Sequence, residues 1–481
     1  MRDAYYVHGE STVLLISKQN GNSTLISKKD FNNGNILNKI TDMNDFKNKI
    51  EFHPVTAYSK DIYGTIFISI HISSKCNLNC SYCFRDDNKD NSISFAESKK
   101  FIDLVIEKFP NGNKFIVDLS GSGEPLLNLD LLLQINEYCK IKRDEILKEI
   151  TVMIATNGTL LSSEMVELLQ SKGIIFGVSV DSSSKTTSHR VDFSGKPVHR
   201  KIIKNIKKIK ERGFLGAAYT LTGKTTDIVK DLKYLYKFFP TISIKPVRSD
   251  DREIGINSYT INKIKKIYND LYNFLLKEAY NDKLSYFIAL LDGDDYFAKF
   301  LYRAILNIRV NRRCDAGLGR YSLATDGKIY VCPAAVNIKE LEIGDIENGI
   351  NHDRIQGILS TFEAGDECAS CFAQYYCGGE CMVNIIIKHI NPGNVDKDMC
   401  IYRRHLVYLA LCLVHNVGKN KPNILHKLSE YCELKSKRNV TNPDIIKVAN
   451  RFGDKYSFTE IMRIEFEEKD KFALLLSQPE G

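Results

Sequence analysis

Thr65-Ile66-Phe67-Ile68-Ser69-Ile70-His71-Ile72-Ser73-Ser74-Lys75-Cys76-Asn77-Leu78-Asn79-Cys80-Ser81-Tyr82-Cys83 runs from a β-branched apolar segment straight into three cysteines. Ile66–Ile72 reads as a strand, so the cysteines fall in the loop after it. In α/β folds that end of the sheet is where active sites sit. The spacing is C-x3-C-x2-C. Three thiolates are one short of a closed tetrahedral zinc site, and no His follows at ligand distance. They suit a four-iron cluster that keeps one iron open. A zinc or buried-thiol site is the alternative reading.

Outward from this loop the chain alternates strand and helix as far as Val247. Strand-like runs recur at 115–119, 150–155, 174–180, 215–221 and 242–247, with helical patterns at 94–108, 129–147, 161–171, 199–212 and 226–238 between them. The first helix opens on Ser94-Phe95-Ala96-Glu97, a capping box. The fourth carries Ile202, Ile203, Ile206 and Ile209 on one stripe and ends at Gly213. Six β/α units with mostly apolar strands imply a parallel sheet covered by helices, and six units fit a partial barrel better than a closed eight-fold one.

Before the barrel, Val13–Ile16 and Ser23–Ile26 flank Asn20-Gly21-Asn22, a hairpin signal, and a polar helical stretch runs from Ile36 to Phe46. After it, residues 257–308 read as two or three helices. Residues 309–404 have short Gly-punctuated stretches with little periodicity, as expected of a segment that folds around metal. The expected division is an N-terminal extension over 1–62, the barrel over 63–250, a helical linker over 251–308, a cysteine-rich domain over 309–404 and a largely helical extension over 405–481.

The chain has 481 residues, 43% hydrophobic and 26% charged, which is ordinary globular usage. A net charge of +8 over this length is no footprint of a nucleic-acid binder. The longest apolar run, Leu406–Val414, is about half of the ~18 residues a membrane span needs. Met1–Glu10 hold no charged-then-apolar export signal, so a cytoplasmic protein without nucleic-acid or membrane partners is expected. There, 13 cysteines point to metal or redox chemistry, not to disulfides. Only Cys139, Cys412 and Cys432 stand apart from the clusters, and Cys139 and Cys412 read as core.

With Tyr82 in the position before the third cysteine, the first cluster resembles the C-x3-C-x-aromatic-C signature of the radical S-adenosylmethionine (SAM) enzymes. The resemblance implies that Cys76, Cys80 and Cys83 hold a [4Fe–4S] cluster whose open iron binds SAM. Reductive cleavage of SAM would then yield methionine and a hydrogen-abstracting 5′-deoxyadenosyl radical. Further positions match in order along the strands. Gly121-Ser122-Gly123-Glu124-Pro125 is similar to the family's Gly-Gly-Glu-Pro turn, which receives the SAM ammonium. Ser122 stands where the family has its first glycine, tolerable only if its φ is negative. Thr156-Asn157-Gly158 closes the third strand as in many relatives. Ser179-Val180-Asp181 resembles a ribose contact, and Arg190 lies where relatives place an arginine near the SAM carboxylate. His189 and His199, on either side of that loop, read as surface residues.

The second cluster is Cys314, Gly327, Cys332, then Cys368-x2-Cys371-x5-Cys377-x3-Cys381, and finally Cys400. This is similar to the seven-cysteine SPASM domain of peptide- and protein-maturing radical SAM enzymes. The resemblance implies two auxiliary [4Fe–4S] clusters: a distal one on Cys368, Cys371, Cys377 and Cys400, and a proximal one on Cys314, Cys332 and Cys381. Three clusters would result in all. Some relatives supply an eighth cysteine just before the first, but Leu306–Arg313 contains none, so the proximal cluster would have an open iron or a non-cysteine ligand. Sulfatase maturases carry a catalytic aspartate just after the second motif cysteine; here Pro333 follows Cys332.

Both departures favour the maturases of ribosomally made peptides. The expected enzyme takes hydrogen from a precursor peptide and forms a thioether or carbon-centred cross-link, with a low-potential donor such as flavodoxin or ferredoxin supplying electrons. The N-terminal strands would bind the peptide's leader by strand addition, or simply pack. Sulfatase maturation, epimerisation and peptide oxidation are alternatives on the same scaffold. A non-catalytic iron–sulfur or zinc protein is the alternative of another class.

Overall fold

The computed structural model describes residues 4–32, 65–83, 91–181, 189–209, 216–293, 295–437, 464 and 468–477. The expected helix at 36–46 and the Gly213 helix end lie outside the described residues. Three strands come first: β1 (Ala4–His8), β2 (Thr12–Ser17) and β3 (Ser23–Ser27), antiparallel in that order. The Asn20-Gly21-Asn22 turn joins β2 to β3 as expected, with Gly21 at φ +70°. Strand β1 was not evident in the sequence.

Six strands follow: β4 (Thr65–Ile70), β5 (Lys114–Asp118), β6 (Glu149–Thr156), β7 (Ile175–Val180), β8 (Gly216–Leu221) and β9 (Thr241–Pro246). Each pairs in parallel with the next, with helices 95–108, 129–146, 163–171, 199–209 and 228–235 between them. All six strands and five helices fall where the apolar periodicity puts them. Ser94 and Glu97 form the full capping box, and Ile202, Ile203, Ile206 and Ile209 are buried.

Alternation along each strand separates two faces. Ile150, Val152 and Ile154 of β6, and Phe176, Val178 and Val180 of β7, belong to the buried core. The other face is partly open and carries small or polar residues. Register sets Ser69, Asp118 and Met153 across one level, and Ala155, Gly177, Gly216 and Thr241 across another.

The curved sheet is not closed between β9 and β4. Residues 320–350 contribute four more strands, β10 (Arg320–Leu323), β11 (Lys328–Tyr330), β12 (Glu342–Asp345) and β13 (Gly349–Ile350). Strand β10 pairs in parallel with β4, so the sheet order is β13-β12-β11-β10-β4-β5-β6-β7-β8-β9. The first half of the cysteine-rich segment thus extends the barrel sheet, and its Tyr321, Leu323, Ile329, Val331, Leu341 and Ile343 join the main core. At the opposite edge, Asp295 accepts from the Ile244 N–H of β9 over 2.9 Å and the helix Ser285–Gly293 packs alongside. That edge is covered and cannot recruit another strand.

Three helices, 261–280, 285–293 and 296–305, fill the span expected to hold two or three. The long helix Lys397–Asn420 crosses Ile261–Tyr280, where the Tyr268 and Tyr402 hydroxyls meet at 3.0 Å inside the core. Cys139 and Cys412 are buried as expected, and Cys432 with them. Among the described residues no helix is long and apolar enough to cross a membrane.

Candidate functional site

The cysteine loop leaves β4 and is tied down on two sides. The Glu124 N–H donates to the Lys75 carbonyl over 2.8 Å, and the Asn79 N–H donates to the Val191 carbonyl over 2.8 Å. The turn after β5 has no room to shift. A Cβ on Gly123 would stand 2.4 Å from the Lys75 carbonyl oxygen and 2.6 Å from that of Ser73. Gly121 holds φ +143° against the His71 ring. Ser122 is not among the residues with positive φ, so the serine costs the turn nothing; its Oγ lies 2.8 Å from His71 Nδ1.

Glu124 is 2% exposed and locks two strand ends together. One oxygen accepts from the Thr156 hydroxyl over 2.6 Å and the other from the Asn157 N–H over 2.7 Å, while Leu126 N–H adds a longer contact of 3.3 Å. Burial pushes its carboxyl above the ordinary value against those hydrogen bonds. Asn157 in turn donates to Asn77 Oδ1 over 2.8 Å, and its amide stands 4.0 Å from Cys76 Sγ. Gly158, at φ +75°, lets the chain leave under Val178.

The end of β7 closes the other side. Tyr82 donates to Asp181 over 2.7 Å, Arg190 Nε donates to the same carboxylate over 3.2 Å, and the His189 N–H donates over 2.9 Å. Arg190 also lies over the Tyr82 ring, 5.6 Å from its centre. Burial alone would lower the Arg190 pKa, but Tyr82 and Asp181 raise it above the usual value. Ser179 sits two residues earlier on the inner face of β7. His199 corrects the sequence reading. It is buried, and burial lowers the pKa of both histidines. His199 covers the start of its helix against Tyr234, whereas His189, beside Tyr82, stays partly exposed with Ser81 Oγ 3.0 Å from its Nδ1.

The second set of cysteines falls into two groups. Cys314, Cys332 and Cys381 influence one another's charge, and burial pushes Cys332 up to about 12. Arg248, just past β9, lies near Cys332 and Cys381, while Arg320, stacked on Phe67 at 3.9 Å, is held by Asp315 over 3.2 Å. Cys368 and Cys400 form a second group with Cys371 and Cys377, and burial pushes Cys368 up to about 11. A cavity of about 190 Å³ lies between Cys314 and Cys368, with Arg312, Arg313 and Glu380 in its wall.

The donor chemistry of each group, free thiols only, fits an iron–sulfur cluster. Burial raises Cys80 to about 11, so this thiol keeps its proton until a metal displaces it. Among the described residues no three or more His, Cys, Asp or Glu side chains are close enough to hold a single metal ion. Beside the Gly121–Ser122 turn, the buried His71 Nε2 has no hydrogen-bond partner, and burial lowers its pKa to about 4. Sequence reading passed over His71, Asn77, Arg248, Glu380 and Arg403. Asn77, Glu380 and Arg403 carried a signal, each within three residues of a motif cysteine.

Residues 70–239 match the Radical SAM superfamily. The radical SAM cyclopropyl synthase TigE of Paramaledivibacter caminithermalis is 25% identical over 361 residues, 69% of this chain and 71% of that protein. A cysteine-type anaerobic sulfatase-maturating enzyme of Clostridium novyi is 24% identical over 289 residues, 57% of this chain and 75% of that one. Among solved structures, native anSMEcpe with bound AdoMet superposes with a TM-score of 0.59 at 18% identity, covering 76% of this chain and 99% of that one. This last likeness concerns the fold.

Proposed function

We propose that this chain, a radical SAM enzyme of the SPASM-type modifying class, cross-links a ribosomally made precursor peptide. The observation that carries the reading is that Tyr82, Asp181 and Arg190 bond to one another at the strand ends beside the first cysteine set, while Arg248, just past β9, lies near Cys332 and Cys381 of the second.

Cys76, Cys80 and Cys83 are the proposed ligands of the SAM-binding [4Fe–4S] cluster. Cys314, Cys332 and Cys381 are those of the proximal auxiliary cluster, and Cys368, Cys371, Cys377 and Cys400 those of the distal one. When bound, the first cluster and SAM supply a carbon radical able to take hydrogen from unactivated carbon. The chain's own residues do the positioning. Gly123 lets the cysteine loop close on the turn, and Glu124 fixes Thr156 and Asn157 beneath it. Both Glu124 oxygens are engaged inside the chain, so backbone carbonyls of the Ser122–Gly123 turn are the proposed acceptors for the SAM ammonium. Asp181, with Tyr82 and Arg190, orients the ribose and carboxylate ends.

Cross-linking removes one hydrogen atom from a substrate carbon and one proton from the second partner. SAM cleavage takes one electron from a low-potential donor of the flavodoxin or ferredoxin class, and bond formation returns one electron to it. The relative named as a cyclopropyl synthase supports a carbon-centred bond, and the proximal set of three thiols supports a thioether. Sulfatase maturation is the second reading, favoured by the Clostridium relative. Pro333, which follows Cys332 and has no side-chain base, speaks against it. The experiment is anaerobic incubation with SAM, reductant and the small peptides encoded beside the gene. A product two hydrogens lighter, with 5′-deoxyadenosine formed in step, supports the reading. Conversion of a sulfatase cysteine to an aldehyde instead would overturn it.

A further inference from the structure

The two auxiliary thiol groups are joined by a buried ion pair that the cysteine pattern does not require. Arg403 is 1% exposed and lies one helical turn beyond Cys400 on the helix Lys397–Asn420. Its Nη2 donates to Cys400 Sγ over 3.4 Å, and its Nε to the Met399 carbonyl over 3.1 Å. Both terminal nitrogens grip the Glu380 carboxylate, one of them over 2.7 Å, in a fork. Glu380 directly precedes Cys381, and its Oε1 also accepts the Cys381 N–H over 2.7 Å. A continuous line of charged hydrogen bonds therefore runs from Cys400 Sγ through Arg403 and Glu380 to the backbone of Cys381.

A buried fork of this kind is no gain for stability alone, since well-packed apolar residues in its place are often neutral or better. Its arrangement has a specific consequence for thiolate-bound clusters. Hydrogen bonds to cluster sulfur and nearby charge set reduction potential. The guanidinium donates to a distal thiol, and the carboxylate that aims it is anchored on a proximal ligand.

We propose that Arg403 and Glu380 are positioning residues that set the reduction potential of the distal auxiliary cluster and link it to the proximal one. The proposal rests on the cluster assignments made above. Arg403 acts directly on Cys400. Glu380 acts on the distal cluster through Arg403, because it holds the guanidinium at the angle at which it donates. Movement of the Cys381 backbone is passed to Cys400 by the same two side chains.

The test uses the full-length chain with Cys76→Ala, Cys80→Ala and Cys83→Ala, reconstituted anaerobically so that only auxiliary clusters are read. Cys368→Ala identifies the distal signal by its loss. Redox titration followed by electron paramagnetic resonance then compares Arg403→Lys, Glu380→Gln and the double variant, with iron counted in each. Arg403→Lys keeps the positive charge, so the fold has a compensated site. The expected result is a more negative distal potential in Arg403→Lys at unchanged iron content. Glu380→Gln alone should also move the distal potential, and should add nothing in the Arg403→Lys background. Unchanged potentials with a lower melting temperature would make the pair merely structural and overturn the proposal. Additive shifts, or loss of distal iron from Arg403→Lys alone, would overturn it too. If the parent itself binds no auxiliary iron, the cluster assignment falls first and takes this proposal with it. Failure confined to the variants leaves that assignment standing.

Discussion

The Tyr82 hydroxyl donates to the Asp181 carboxylate over 2.7 Å, tying the cysteine loop after β4 to the end of β7 across the mouth of the barrel. The contact joins residues 99 positions apart. Arg190 then balances the carboxylate from the same side. Tyr82→Phe should cost roughly 1.5–3 kcal/mol, the worth of a hydrogen bond to a charged group. Asp181→Ala should cost roughly 3–5 kcal/mol, because it strands a buried guanidinium. Denaturant unfolding of the metal-free chain measures both, and equal costs would contradict the account.

Gly123→Ala tests the closeness of loop and turn. The new methyl meets two backbone oxygens, which cannot swing away as a side chain would. SAM affinity measured by equilibrium dialysis of the reconstituted protein should fall by at least about tenfold, or 1.4 kcal/mol. Gly195→Ala is a control, since nothing lies within 4 Å of its Cβ; its φ of +78° still carries a small strain.

Glu124→Ala removes the acceptor for Thr156 and Asn157 together. The loss should destabilise the fold by roughly 2–3 kcal/mol, as two buried donors lose their partner. Glu124→Gln keeps the shape and should recover part of it. The comparison is read by thermal melting.

The N-terminal sheet is fastened by Arg309, which is fully buried and donates to the carbonyls of Asn20 and Gly21, each over 3.1 Å. Tyr375 reaches the Lys18 carbonyl over 2.8 Å beside it. Arg309→Ala should open residues 4–32 to limited proteolysis while leaving the barrel resistant. Equal protection in variant and parent would contradict this.

His415 lies 3.0 Å from Ser23 Oγ at the same junction, and burial lowers its pKa to about 4. Its ordinary value is about 6.5, so on acidification the unfolded chain takes up the proton first. Stability contributed by the neutral ring is therefore complete above about pH 6.5 and declines towards pH 4, by roughly 2 kcal/mol at pH 5. The fall in melting temperature between pH 7 and 5 should be smaller in His415→Gln.

Much of this was legible in the sequence because it is local. Strands such as Ile66–Ile72 announce themselves by β-branched runs, and the capping box at Ser94 needs only four residues. The first cysteine spacing marked the loop around which Tyr82, Asp181 and Arg190 gather. Strands β10 to β13 stayed hidden, because stretches such as Arg320–Leu323 and Gly349–Ile350 are short and owe their form to partners far along the chain. His199 was misread for a related reason: its helix is rich in lysine, and only the packing against Tyr234 takes the ring from water. The Arg403–Glu380 fork spans 23 residues, and no periodicity connects its ends.

The central proposal is that this chain holds three iron–sulfur clusters and cleaves SAM on one of them. The most direct measurement is anaerobic reconstitution with iron and sulfide counted, followed by SAM, reductant and assay of 5′-deoxyadenosine. About twelve irons with SAM cleavage is the predicted result, and Cys76→Ala, Cys80→Ala, Cys83→Ala together should abolish cleavage while keeping about eight irons. About four irons or fewer with no 5′-deoxyadenosine, or cleavage that survives the triple substitution, would contradict it.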